Sequence, residues 1–283
     1  MVKKQQFILV ISALLFFALL FFFGKTVPDK KINAVPVSAK TNDSSAIITT
    51  NNLLSKAKEK LSAPQLLRIT QLENSVVRGD VKNQQIHVYH QLAKFWGDSM
   101  NNQILGAFYI GEAAKLENSE KNLNFAAQLL LGDLLAEDNA GMQNWLATNA
   151  KSLFERSLQI NPKNDSAKIG IGACYMFGNI SDNPMEGILT IRNIAEKNPD
   201  NLYAQMMLGL GGIKSGQYDK AIERFLIVVK KQPNNLEAIF HLAETYDRMN
   251  DKINAIKWYK IADSLIEIPE AKKEIEERIK ALQ

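Results

Sequence analysis

Cysteine is almost absent: Cys174 is the only one in 283 residues. That excludes an internal disulfide framework, and it excludes a lipid-modified N-terminal cysteine. Lying between Ala173 and Tyr175 in a helical run, Cys174 reads as a small buried apolar residue. Histidine is nearly as scarce, with His87, His90 and His241. His87 and His90 share a helix face at i, i+3, but no third ligand is apparent and the glutamate of an H-E-x-x-H zinc helix is missing. Both read as surface histidines. A glycine-rich phosphate loop, a nucleophile elbow and paired catalytic carboxylates are also missing. Asp133 with Glu137, and Glu244 with Arg248, sit at i, i+4 and read as solvated helix faces or local pairs. No catalytic residue, cofactor or metal site is expected, and the chain is not expected to be an enzyme.

A concentrated basic surface is lacking as well. The net charge is +4, but residues 1–60 hold nine lysines and three acids, leaving 25 basic against 27 acidic residues in the rest. Nucleic-acid binding needs clustered Lys and Arg to displace counterions, so nucleic acid is not an expected partner.

Long apolar runs are confined to one place. Phe7 to Phe23 is 17 residues without a charge, and fourteen of them are Phe, Leu, Ile or Val. Their summed insertion preference is roughly 4–8 kcal/mol in favour of the membrane. As a helix the run spans about 26 Å, close to the hydrocarbon thickness. Two readings compete, a cleaved signal peptide and an uncleaved anchor; no small-x-small cleavage site follows the run closely, so residues 1–24 read as a single-pass anchor, with residues 7–24 in the membrane. Lys3 and Lys4 precede the run and Lys25, Lys30 and Lys31 follow it, so the positive-inside count is nearly tied. The short N-terminal tail favours export of the larger part, giving a periplasmic domain on a bacterial inner membrane. Residues 25–52 have no helical period and read as a disordered tether.

The second half of the chain carries a 34-residue beat. Pro199 and Pro233, Ala221 and Ala255, Leu208 and Leu242, and Phe225 and Tyr259 are each 34 apart. Periods of this size mean stacked supersecondary units. In the unit 202–233, Leu208 and Gly209 lie in a first helical run, and Gly216, Gln217 and Tyr218 punctuate it. Ala221 and Phe225 lie in a second run, which Pro233 ends. Gly209 and Ala221 are expected to let the two helix backbones approach, with Tyr218 and Phe225 filling the space between units. The unit 236–269 repeats the pattern with Leu242, Tyr246, Ala255 and Tyr259.

This pattern resembles the tetratricopeptide repeat family, with Leu208, Gly209, Gly216, Tyr218, Ala221, Phe225 and Pro233 as its matches in one register. The resemblance implies an all-α, right-handed α-solenoid of helix hairpins. Weaker units occupy 124–162 (Leu131, Gly132, Ala150, Phe154) and 165–199 (Ile171, Gly172, Tyr175, Gly187, Ile191). The first carries an expected loop insertion at 136–141 and the second an insertion around 178–182. Residues 53–123 form a degenerate helical region with Leu92, Trp96, Gly106 and Ala113, and 270–283 a capping helix.

The resemblance also implies that the first helix of each unit lines a concave face that docks a peptide or helix of a client protein. The positions that carry over are Ile169, Met176, Phe177, Tyr203, Met206, Leu210, Phe240 and Arg248, with Ala173, Ile213, Glu237, Glu244 and Asp247 beside them. This face is apolar in its middle and charged toward the C-terminus, and its apolar residues either meet a partner or pack against neighbouring helices or the chain's own linker. The expected function is a membrane-anchored scaffold or adaptor for protein partners, in export or envelope-complex assembly. A self-associating structural scaffold and a client-delivery factor of the cytochrome-biogenesis kind stand as alternatives.

Overall fold

The computed structural model describes residues 48–78, 81–181 and 183–283. The expected membrane anchor and the tether through residue 47 lie outside these residues. Among the described residues the regular structure is helical: α1 (Thr50–Lys58), α2 (Ala63–Arg78), α3 (Lys82–Lys94), α4 (Gln103–Glu117), α5 (Glu120–Leu135), α6 (Ala140–Ile160), α7 (Asp165–Phe177), α8 (Met185–Lys197), α9 (Leu202–Lys214), α10 (Tyr218–Lys231), α11 (Leu236–Arg248), α12 (Lys252–Leu265) and α13 (Pro269–Leu282). No helix among the described residues is long and apolar enough to cross a membrane.

Each odd-numbered helix from α3 to α11 packs most extensively on the helix that follows it, giving five hairpins. Successive hairpins meet through α4 and α5, α6 and α7, α8 and α9, and α10 and α11. Helix α7 also reaches both α5 and α9. Packing therefore stays mainly local along the chain, as stacked repeats require. Helix α1 departs from this rule, because the Trp145 indole N–H in α6 donates to Thr50 Oγ1 at 3.1 Å.

The joints between the last hairpins are built alike. Pro162, Pro199 and Pro233 end the outgoing helices, and two residues later stand Asn164, Asn201 and Asn235. Each of these asparagines caps the next helix: Asn164 Oδ1 accepts from Ala167 N at 3.0 Å, Asn201 from Ala204 N at 3.0 Å and Asn235 from Ala238 N at 2.9 Å. The capped alanines are fully buried. A side-chain cap satisfies one of the amide donors left over in a first helical turn. The resulting Pro-x-Asn-x-x-Ala phrase was there to be read in the sequence, and it marks every one of these joints.

Close packing inside the α9/α10 hairpin differs from the expectation. A Cβ placed on Gly212 would lie 3.0 Å from Ala221 Cβ and 3.2 Å from its Cα, so it is Gly212 that faces Ala221. Gly209 instead lies under the Phe225 ring, which a Cβ would strike. One turn of helix separates the two glycines, and the aromatic ring takes the first space while the backbone contact takes the second. Among the signature residues, Gly209, Ala221, Phe225, Leu242, Ala255 and Tyr259 are buried, while Leu208, Tyr218 and Tyr246 are half-buried. Gly216 holds φ +71, a left-handed conformation that ends α9.

Three boundaries also shift. The tether expected to run to residue 52 ends sooner, because Thr49 caps α1 by accepting from Asn52 N at 3.2 Å. The insertion at 136–141 is a loop only as far as Asn139; Ala140 and Gly141 extend α6 to 21 residues. Between α3 and α4 the backbone widens into a π-turn over Phe95–Ser99, where Met100 N donates to Phe95 O at 3.0 Å. Apart from these changes, three apolar clusters run in chain order: one around Trp96 and Ile69, a large central one from α4 to α11, and one that buries Ile275, Ile279 and Leu282 of α13.

Overpacking the Gly212 contact is expected to register in stability. Ala221→Leu should cost roughly 1–3 kcal/mol, and Asn201→Ala about 1 kcal/mol through the lost cap. Urea denaturation midpoints check both, and an unchanged midpoint for Ala221→Leu would remove the assigned packing.

Candidate functional site

Four of the eight residues expected to line a groove are core residues. Ile169 is 0 % exposed, Met206 6 %, Met176 7 % and Phe177 8 %. The cause is the extra coverage of the first helices: α7 is clasped by α5 and α9 as well as by its hairpin partner α8. Ala173 is likewise fully buried. The apolar middle of the expected groove is therefore largely internal packing, and Ile169 and Met206 are corrected to core.

Tyr203 is half-buried and already engaged. Its hydroxyl and the Gln128 amide nitrogen lie 3.1 Å apart, a hydrogen bond that ties α5 to α9 past α7. Burial pushes the Tyr203 phenol up to about 12, outweighing the opposing Gln128 bond. Tyr259, beside Asp247, is also pushed up to about 12, first by burial and then by the nearby carboxylates.

What remains open is a cleft of about 670 Å³ at the ends of the first helices. Leu135 ends α5, Phe177 ends α7 and Lys214 ends α9, and all three line it. Leu134, Leu210 and Ile213 complete the apolar floor. The rim carries Glu137 and Asp138 on one side and Glu237, His241, Glu244 and Arg248 on the other. The second set recurs at i, i+4, i+7 and i+11, one face of α11. Thus Phe177, Leu210 and Arg248 come together as expected positions of one surface, joined by Ile213, Glu237 and Glu244. Leu134, Leu135, Glu137, Asp138 and His241 were not foreseen. The usable signal was the Leu131-Gly132 pair, which marks α5 as a first helix whose end belongs to the same surface.

Phe240 lies elsewhere, in a second cleft of about 630 Å³ under α13. Tyr259, Ile266 and Ile275 give it an apolar wall, and Glu244 and Arg248 line it as well as the first cleft. Asp247 is held there by Arg278, whose Nε donates to Oδ2 at 2.6 Å.

Lys214 has an uncommon setting at the floor of the first cleft. Its ammonium donates to the Phe177 carbonyl at 3.3 Å and lies 5.3 Å from the Phe177 ring centroid. Partial burial lowers its pKa. Cys174 is fully buried, and burial pushes its thiol up to about 12. The histidines are occupied by neighbours: His90 Nε2 lies 3.0 Å from Glu117 Oε1, and His87 Nε2 lies 2.9 Å from Gln91 Nε2. Among the described residues no group of three or more His, Cys, Asp or Glu is placed to hold a metal ion.

Hairpins of this length, joined by proline turns and stacked in chain order, define an α-solenoid of tetratricopeptide type. No protein-family model matches the sequence, and no curated protein does. Among solved structures, YrrB, described as a TPR protein with an unusual peptide-binding site, is 16% identical over 67% of this chain and 91% of its own, with a TM-score of 0.41. PilW, a type IV pilus biogenesis factor, is 18% identical over 72% of this chain and 94% of its own, with a TM-score of 0.46. MamA is 18% identical over 70% of this chain and 98% of its own, with a TM-score of 0.36. At those scores the repeat architecture of this chain rests on its own packing.

Two outcomes follow from the burial pattern. Met206→Glu places a carboxylate in the core and is expected to unfold the protein or lower its melting temperature sharply, read by circular dichroism. Tyr203 favours its neutral form in the fold, so its contribution is fully present below pH 10 and is lost as pH rises through about 12. Tyr203→Phe should shrink that alkaline loss while costing about 0.5–1.5 kcal/mol at neutral pH, measured by denaturation across the alkaline range.

Proposed function

We propose that this chain is a membrane-tethered docking scaffold that holds a peptide or helix of a client protein against the cleft at the ends of α5, α7 and α9. The observation that carries the reading is the cleft itself. It is about 670 Å³, with an apolar floor and a rim in which Glu137, Asp138, Glu237 and Arg248 have no ion-pair partner among the described residues. An apolar depression rimmed by unspent charge is a docking surface rather than a reaction centre. Among the described residues that line it there is no serine or cysteine. The uncharged run at 7–23 supplies the membrane side of the reading. With the short N-terminal tail inside, the repeats would stand on the periplasmic side of a bacterial inner membrane and gather a client for export or envelope assembly.

The test uses Leu210, which is half-exposed on the cleft floor, in place of the buried Met206. A photo-crosslinking amino acid at Leu210 in the native membrane is expected to yield one dominant adduct with another protein, identified by mass spectrometry. With the photo-crosslinking residue moved to Ile213 on the same floor, Leu210→Asp should keep the fold and abolish that adduct. Adducts only between copies of this chain would replace the adaptor reading with a self-associating scaffold.

A further inference from the structure

We infer that the cleft selects a cationic amphipathic segment, with apolar side chains on the floor and Lys or Arg side chains at its rims. The inference rests on the docking reading above and names the chemistry of the partner.

Charge balance is the first support. Four carboxylates line the cleft, Glu137, Asp138, Glu237 and Glu244, against two cations, Lys214 and Arg248. Lys214 is already spent on the Phe177 carbonyl and ring. Among the acids, only Glu244 has a nitrogen base beside it, His241 Nδ1 at 3.2 Å. Asp138 and Glu237 are exposed at the two rims. The second cleft continues the same sign, since Arg278 is taken by Asp247 and leaves Glu274 unmatched there.

Backbone geometry is the second support, and it does not depend on the carboxylates. Three helices end on this cleft, α5 at Leu135, α7 at Phe177 and α9 at Lys214. Helix C-termini carry partial negative charge on their unpaired carbonyls. Lys214 shows how a cation uses one of them: its ammonium meets the terminal carbonyl of α7 and the face of Phe177. A ligand lysine or arginine meets the rim carboxylates Glu137, Asp138 and Glu237 and the C-terminal ends of α5 and α9. An acidic segment would instead meet like charge on both sides, with Arg248 as its one unspent partner.

The experiment uses the full chain in zwitterionic detergent micelles, with micelles alone as the blank. Two synthetic fluorescent peptides share one amphipathic Leu/Ala pattern and differ only in carrying Lys or Glu at the polar positions. Anisotropy is expected to show the Lys peptide binding about tenfold or more tighter than the Glu peptide, with the difference shrinking at high salt. The double variant Asp138→Lys, Glu237→Lys should invert that preference, and because both positions are exposed its melting curve should match the parent. Leu210→Asp should weaken both peptides. Equal binding of the two peptides, or a preference for Glu, with Leu210→Asp still disruptive, overturns the charge inference and leaves the docking reading standing. Failure of both peptides to bind, or binding indifferent to Leu210→Asp, overturns the docking reading itself.

Discussion

A hairpin of two amphipathic helices cannot cover its own apolar surface, and the need to cover it with the next hairpin governs this molecule. Helix α7 shows the constraint at its strongest. It packs against α5, α6, α8 and α9, and Ile169, Ala173 and Cys174 are wholly buried. Small residues are what let so many neighbours approach one helix: a Cβ on Gly170 would strike Phe154, and one on Gly172 would strike Ile191 and the Gly187 carbonyl. Apolar side chains on the first helices are consumed by this stacking before any partner is considered.

That consumption determines where a partner fits. The helix middles are closed by packing, and the Tyr203–Gln128 bond ties the start of α9 to α5. The helix ends are not, because the chain must leave each first helix to form its turn, and successive turns cannot interdigitate as helix sides do. The cleft therefore combines leftover apolar residues with the polar and charged residues that turns and first helical turns prefer. Its mixed character follows from its place in the fold.

The proposed docking surface depends on the regularity of the joints. Each Pro-x-Asn turn stops one helix and caps the next with the same bonds, so these junctions repeat one geometry of capping. A surface assembled from α5, α7, α9 and α11 needs that regularity, since no one helix supplies more than a strip of it. Helix α13 buries Ile275 and Ile279 against the last hairpin, and Arg278 joins it to Asp247.

Helix identity, hairpin pairing and repeat length were legible in the residues, because the 34-residue beat of Pro, Ala and aromatic positions is a local property of each unit. The asparagine caps were equally legible, being fixed in spacing from each proline. Which glycine meets Ala221 was not, since Gly209 and Gly212 lie within one turn and only the position of the Phe225 ring assigns them. Nor could the sequence separate Met206 from Leu210. Both are apolar and both lie on a first helix, yet one is covered by neighbouring helices and the other faces the cleft. Periodicity reports which residues share a face of one helix. How many neighbours cover that face depends on the close approach of helices from other repeats, which only the tertiary packing decides.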